Sequence, residues 1–153
     1  MIDSISSWGP CFRVSFDLKI HSKVSSQLSS ILAFKGNGGL IDSNKNRDRT
    51  PAIFYNKNGH LHFTNAVSLN RNHSFDKKID LQKWYHIEIE QKWKYEKVFY
   101  IIMVNAEEIH SVVNTYPKYY DNVKVFAGNN FHPPANGSYR NLIWENLGNL
   151  KTF

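Results

Sequence analysis

Apolar and polar residues alternate along this chain with the period of a β-strand. Over residues 12–21 every second side chain is apolar and every side chain between them is polar, which is the pattern of a strand with one buried face. Residues 85–90 repeat this alternation, whereas residues 98–104 are apolar at every position. Such a continuous run indicates a strand that is covered on both faces. The pattern therefore predicts long strands and no helix of useful length.

Turn residues divide the rest of the chain into further short strands. The Asn58-Gly59 pair marks a tight hairpin, and residues 70–78 and 116–122 are predicted to be loops. Additional strands are predicted at residues 29–35, 51–55, 60–64, 66–69, 108–113, 123–127 and 138–147. Regularly spaced short strands favour an all-β fold, a two-sheet antiparallel jelly-roll sandwich. We expect one domain over residues 1–153.

The inward positions of these strands predict the core. Strand alternation places one set of apolar side chains on a common buried face. The predicted core residues are Phe12, Val14, Phe16, Leu18, Ile20, Ile87, Ile89, Ile102, Leu142 and Trp144.

Composition narrows the classes of partner. Nineteen basic and thirteen acidic residues give a net charge of +6, but the basic residues are scattered and no nucleic-acid motif is present, so nucleic acid is not an expected partner. No apolar run approaches the roughly 20 residues of a membrane span, so membrane insertion is not expected.

Several features bear on where the protein acts. The single Cys11 allows no internal disulfide and is predicted to be a partly buried structural thiol. The sequons at residues 72–74 and 136–138 favour an extracellular location. Because the N-terminus lacks the basic and apolar segments of a signal peptide, the chain is expected to be either cytosolic or an excised mature domain. We expect an extracellular domain.

The order of motifs resembles the concanavalin A-like lectin and glucanase superfamily, especially its laminin-G-like and pentraxin-like members. The motifs that carry the resemblance are NGHLHF at 58–63, KWYHI at 83–87, MVNA at 103–106, VKVFAG at 123–128 and GSYRNL at 137–142. The chain departs from the family where Asn105-Ala106 replaces an Asp-Gly turn and where the terminal disulfide of laminin-G modules is absent. The resemblance implies a jelly roll that recognises carbohydrate.

The resemblance also indicates which residues glycan cleavage would require. Cleaving members of the superfamily carry the pattern Glu-x-Asp-x-x-Glu on one strand. The nearest match is Glu88 with Glu90, and Trp93 stands where the third acid would fall. The sequence therefore predicts that the chain is not an enzyme.

One polar loop has the spacing of a calcium-binding loop. Asp42, Asn44, Asn46 and Asp48 place oxygen atoms at every second residue, as calcium loops do, and many members of the family bind calcium through loop Asp and Asn residues. The loop lacks the glycine and glutamate of an EF-hand and carries several cations. Two interpretations stay open, a calcium site and a solvated polar loop.

Histidines offer a further metal hypothesis. His60 and His62 lie on one face of a predicted strand, a spacing that zinc sites use. A third ligand would come from His86 or His110, and the alternative is that these are exposed histidines.

The loop over residues 128–137 carries the residue types of a sugar site. Asn130 and His132 supply hydrogen-bonding groups, and Phe131 supplies a ring that can stack on a sugar. If this loop and the long loop at residues 36–50 lie at the same edge, Arg49 joins them. The competing interpretation is a stiff proline loop that covers a sheet end, with Phe131 as its plug.

The sequence thus predicts a non-enzymatic recognition module with carbohydrate as its leading ligand. The alternative is a structural or adhesion module that binds an extracellular protein.

Overall fold

The computed structural model describes residues 1–36, 48–128 and 132–148. These residues form eleven β-strands, and no helix that could cross a membrane occurs among them. The strands are β1 (Asp3–Trp8), β2 (Cys11–Ile20), β3 (Leu28–Gly36), β4 (Asp48–Asn56), β5 (His60–Val67), β6 (Asn70–Lys78), β7 (Tyr85–Lys94), β8 (Lys97–Val104), β9 (Glu107–Val113), β10 (Tyr120–Ala127) and β11 (Gly137–Gly148).

The strands form two antiparallel sheets that pack face to face. The six-stranded sheet has the order β1-β10-β3-β4-β5-β6, and the five-stranded sheet has the order β11-β2-β7-β8-β9. Strands that are distant in sequence, such as β10 and β3, are neighbours in space. This arrangement confirms the predicted all-β sandwich.

The core lies between the inner faces of the two sheets. Eight of the ten predicted core residues are buried there, and Leu142 and Trp144 pack against it while partly buried. Trp8 was not predicted, yet its ring stacks on Phe12 of one sheet and Phe34 of the other, with both ring centroids 5.3 Å away. This aromatic stack ties the two sheets together.

Two strands were not predicted from the sequence. β6 occupies residues that were predicted to be a loop, and β1 lies before the first clear alternation. β6 is an edge strand and most of its side chains are exposed, so it has no apolar periodicity to detect. Its pairing with β5 supplies the hydrogen bonds that make it a strand. The sequon residue Asn72 therefore lies on an edge strand rather than in a loop.

A third difference concerns the strand predicted at residues 66–69. β5 ends at Val67, and the chain turns through Ser68, which has a φ of 55°. A non-glycine residue with a left-handed backbone marks a tight turn, and this turn leads directly into β6.

Candidate functional site

The outer face of the six-stranded sheet carries a second apolar cluster. In β4, Ile53 and Tyr55 point into the main core. Ala52 and Phe54 point the other way and pack with Ala33 of β3 and Phe126 of β10. Phe54 is 0% exposed, although its side chain lies on the face opposite the main core. Full burial there means that other groups cover its ring.

A β-bulge brings Arg49 onto this face. Ala33 pairs with Ala52 and Lys35 pairs with Arg49, so three residues of β4 span the distance that two residues of β3 span. In a regular strand Arg49 would lie on the opposite face from Ala52, because the two are three residues apart. The extra residue reverses the alternation, and the Arg49 guanidinium carbon lies 5.1 Å from the centroid of the Phe54 ring.

His132 meets the same ring from a different part of the chain. Its imidazole packs edge-on against Phe54, with centroids 5.2 Å apart and planes at 79°. The segment that carries His132 is held on β3, because the Ser30 hydroxyl donates to the His132 carbonyl at 3.3 Å. The Ser30 backbone N–H also donates to the Pro133 carbonyl at 2.8 Å. These bonds fix the position of the imidazole over the sheet.

Positive charge dominates the surroundings of His132. Burial lowers the pKa of His132, and the nearby charges of Arg49 and Lys35 lower it further. Burial also lowers the pKa of Arg49. Within the described ranges, no carboxylate forms an ion pair with Arg49. Lys35 lies beside them, with its ammonium 5.6 Å from the Phe126 ring centroid.

His62 completes the described polar rim of this face. Its ring lies 6.2 Å from that of Phe54, and its Nδ1 bonds the Asp76 carboxylate of β6. The zinc hypothesis required His86 or His110 near His62. His86 instead bonds Asp17 on the five-stranded sheet, and no group of three potential metal-ligating His, Cys, Asp or Glu side chains occurs among the described residues.

Asp48 points to the opposite side of β4 from Arg49. Its carboxylate is 1% exposed and accepts bonds from Lys118 and Tyr120, both at 2.9 Å, and from Arg71. Burial opposes ionisation, but the bonds from Lys118, Arg71 and Tyr120 outweigh it and hold the pKa of Asp48 below its ordinary value. A calcium ion at Asp48 would have to displace two cations that already neutralise it.

The remaining predicted site residues divide into two groups. Arg49 and His132 were predicted to act together, and the structure places both against Phe54. Asp42, Asn44, Asn46, Asn130 and Phe131 lie outside the described residues. The calcium site and the Asn130–Phe131 contribution therefore stay predictions.

Sequence analysis missed Phe54 and Lys35. A signal for Phe54 was present, because alternation in a strand whose Ile53 and Tyr55 face inward leaves an aromatic side chain pointing outward. An apolar ring on the face opposite the core is a reason to look for a covering group or ligand.

On the outer face of the five-stranded sheet, unlike at Arg49, carboxylates lie beside the cations. Arg13 lies 3.2 Å from the carboxylates of both Glu88 and Glu90, and Lys92 lies 3.4 Å from Glu90. The two glutamates that were considered as a catalytic pair therefore neutralise cations.

Comparison with known proteins supports the fold. No protein-family model and no curated protein matches the sequence. Three similar solved structures are a Trypanosoma rangeli sialidase in complex with sialic acid, a heptameric SAP-like pentraxin from Limulus polyphemus, and a family 7 alginate lyase in complex with its substrate GGMG. The TM-scores are 0.62, 0.61 and 0.60 and the identities are 12%, 13% and 13%, in that order.

The overlap is almost complete for this chain but partial for the matched proteins. The alignments cover 92%, 94% and 95% of this chain, against 21% of the sialidase, 66% of the pentraxin and 65% of the lyase. Identities this low show the fold alone.

These structures correct the prediction that the chain is not an enzyme. That prediction was wrong, because a sialidase and an alginate lyase contain the same fold. The absence of the Glu-x-Asp-x-x-Glu pattern from a sandwich fold does not show whether a protein only binds its ligand or also acts on it as an enzyme. The chain has the two-sheet antiparallel sandwich fold that its motifs predict, and these three structures share it.

Proposed function

We propose that this protein binds carbohydrate on the outer face of the six-stranded sheet. The observation that carries the proposal is the convergence of Arg49 and His132 on the Phe54 ring. The two residues are far apart in sequence, and neither is required by the main core between the sheets.

The chemistry of the site suits sugars. Sugar hydroxyls need fixed hydrogen-bond donors and acceptors. The Arg49 guanidinium offers several donors, whereas the imidazole of His132 can donate or accept according to its tautomer. Both groups lie on a rigid sheet, which reduces the entropy lost on binding, and the apolar cluster that supports them is itself buried.

The structural comparisons support the same class of ligand. The T. rangeli sialidase was solved with sialic acid and the alginate lyase with its substrate. An extracellular location and the alternative of a protein-binding adhesion module remain predictions.

A glycan array tests the proposal. We expect selective binding by the natural protein, weakened by about 1–3 kcal/mol in Arg49→Ala and His132→Ala, because each change removes a partly buried hydrogen-bonding group. Arg140→Ala is the matched control. Its guanidinium stacks on Trp84 at 4.0 Å on the five-stranded sheet, so this variant should bind normally.

Two outcomes would contradict the proposal. Absence of binding across the array would remove carbohydrate as the ligand class. Binding that survives both Arg49→Ala and His132→Ala would place the site elsewhere. Release of shortened glycans during incubation would show that the bound sugar is also cleaved.

The calcium prediction is tested in the same preparation. Calcium that binds only the folded protein raises its melting temperature, and a chelator should reverse the shift. Identical melting curves with calcium and with chelator would rule out a site.

A further inference from the structure

We propose that the β7–β8 hairpin of the five-stranded sheet carries a second binding site, which takes an acidic sugar. Lys94 and Tyr95 are the residues that carry this inference, and we refer to these two residues and the groove beside them as the hairpin site. Arg49 and His132 lie on the other sheet. The inference therefore goes beyond the proposed function and uses none of its residues.

A groove of about 650 Å³ runs beside the hairpin. Sites for small ligands usually have volumes of about 300–1,000 Å³. The described lining of the groove includes two aromatic residues, Trp93 and Tyr95, and three cationic residues, Arg13, Lys92 and Lys94. Tyr95 is 81% exposed, so its ring is open to a ligand.

The backbone at Tyr95 has a conformation that tyrosine rarely adopts. Lys94 and Lys97 form the last cross-strand pair of the hairpin, and the two residues between them, Tyr95 and Glu96, have φ values of 51° and 62°. Two-residue turns with positive φ at both positions favour Asn-Gly, because most side chains are strained there. Formation of the turn therefore does not account for a tyrosine. A strained residue with an exposed aromatic ring is a reason to look for a role in recognition.

Two lysines at the base of the same hairpin lack an acidic partner. Lys94 and Lys97 are directly opposite each other, and like charges in such positions destabilise a sheet. Within the described ranges, neither lysine forms an ion pair with a carboxylate. Arg13 and Lys92 are instead paired with Glu90. Lys94 is therefore the cation of the groove whose charge a ligand can neutralise.

The Tyr95 ring and the Lys94 ammonium are close enough to contact one ligand, since the ammonium lies 5.4 Å from the ring centroid. A sugar acid combines an apolar C–H face, which can pack on the tyrosine ring, with a carboxylate that an ammonium binds through charge-assisted hydrogen bonds. An open groove leaves much of its ligand in water. This suits a hydroxylated ring better than an aromatic acid, because an apolar ring gains affinity mainly from enclosure.

Titration calorimetry with defined oligosaccharides tests the hairpin site. The ligands are trigalacturonate and trimannuronate, each compared with its methyl ester, and polyglutamate serves as an anion without sugar. The variants are Tyr95→Asn and Lys94→Gln. The matched controls are Tyr116→Asn and Lys57→Gln, because both control residues are exposed and lie outside the described lining of the groove.

We expect the natural protein to bind at least one of the two acids about threefold or more tightly than its ester, as an exposed ion pair predicts. Lys94→Gln should remove this preference. Tyr95→Asn should weaken binding about threefold to tenfold through loss of the ring. The two controls should bind normally.

The melting temperature separates recognition from a structural role of Tyr95. Tyr95→Asn should raise it, because asparagine adopts positive φ more readily than tyrosine. A lower melting temperature in this variant would make Tyr95 a structural residue and would overturn the inference.

The contrary binding outcomes are distinct from failure of the proposed function. Equal binding of acid and ester, equal competition by polyglutamate, or no binding of either acid would overturn the hairpin site, while the glycan array still tests the site at Arg49 and His132. Binding of the acids that persists in Tyr95→Asn and Lys94→Gln but is lost in Arg49→Ala would place them at the proposed site, which also overturns this inference.

Discussion

Two arginines on opposite faces of the sandwich differ in whether carboxylates of their own sheet neutralise their charge. Arg13 lies on the five-stranded sheet, where Glu90, Glu88 and Glu145 outweigh the effect of burial and raise its pKa. Arg49 lies on the six-stranded sheet, where burial lowers its pKa and no described carboxylate opposes that effect. The first arginine is neutralised by its own sheet. The second retains a charge that a ligand can satisfy.

The contrast extends to residues that are adjacent in sequence. Asp48 and Arg49 are consecutive, but alternation directs Asp48 toward Lys118 and Tyr120 and Arg49 toward Phe54. The buried carboxylate of Asp48 is hydrogen-bonded and paired with cations of the fold, whereas the neighbouring guanidinium of Arg49 forms no ion pair with a described carboxylate. Substitutions of Asp48 and of Arg49 can therefore test the comparison.

The largest expected effect is at Asp48. Asp48→Asn should lower the free energy of unfolding by about 3–5 kcal/mol, because it removes the charge that compensates two partly buried cations. Chemical denaturation followed by circular dichroism measures this change. Asp80→Asn, at an exposed position, should change the stability by less than about 0.5 kcal/mol. Equal effects of the two changes would show that the Asp48 network contributes little.

A smaller effect should distinguish the two faces directly. Glu90→Gln should cost about 1–3 kcal/mol, because the Glu90 side chain is 3% exposed and pairs with Arg13 and Lys92. Arg49→Gln should leave stability within about 0.5 kcal/mol or increase it, since the substitution removes a partly desolvated charge. Denaturation of both variants under the same conditions measures the difference. A loss in Arg49→Gln as large as that in Glu90→Gln would make Arg49 a structural residue.

The smallest expected effect concerns a histidine pair that joins the sheets away from both outer faces. His73 of β6 and His110 of β9 have Nε2 atoms 2.9 Å apart. Burial lowers the pKa of both residues, and the charge of His73 lowers that of His110 further. Tyr100 is a further titratable side chain in contact with both rings, and Phe75 stacks on His110.

The sign of the pH effect follows from these directions. Because both folded-state pKa values lie below the unfolded value of about 6.5, the unfolded chain takes up protons first as the pH falls. The stability of the folded state is therefore complete above that value and decreases as the pH falls below it. Proton NMR titration of the two imidazoles is the check, and midpoints at or above 6.5 would contradict the prediction.

Most of the architecture could be predicted because a strand with one buried face shows alternating apolar and polar residues in its own sequence. The alternation over β2 identified a strand, its buried face and five core residues. The edge strands β1 and β6 show no such alternation of apolar residues, since few of their side chains are buried. Their pairing with β10 and β5 depends on hydrogen bonds between backbones, which every residue type except proline can make.

The amino-acid sequence by itself determined the strand periodicity, the sandwich class and the excess of positive charge. Only the tertiary structure decided where that charge lies. A single extra residue in β4 turns Arg49 outward, and the β10–β3–β4 pairing aligns it with Lys35 and Lys124. The attachment of the His132 segment to Ser30 then brings an imidazole to the same ring. These relations join residues that are far apart in the chain, so no local pattern of residues can encode them.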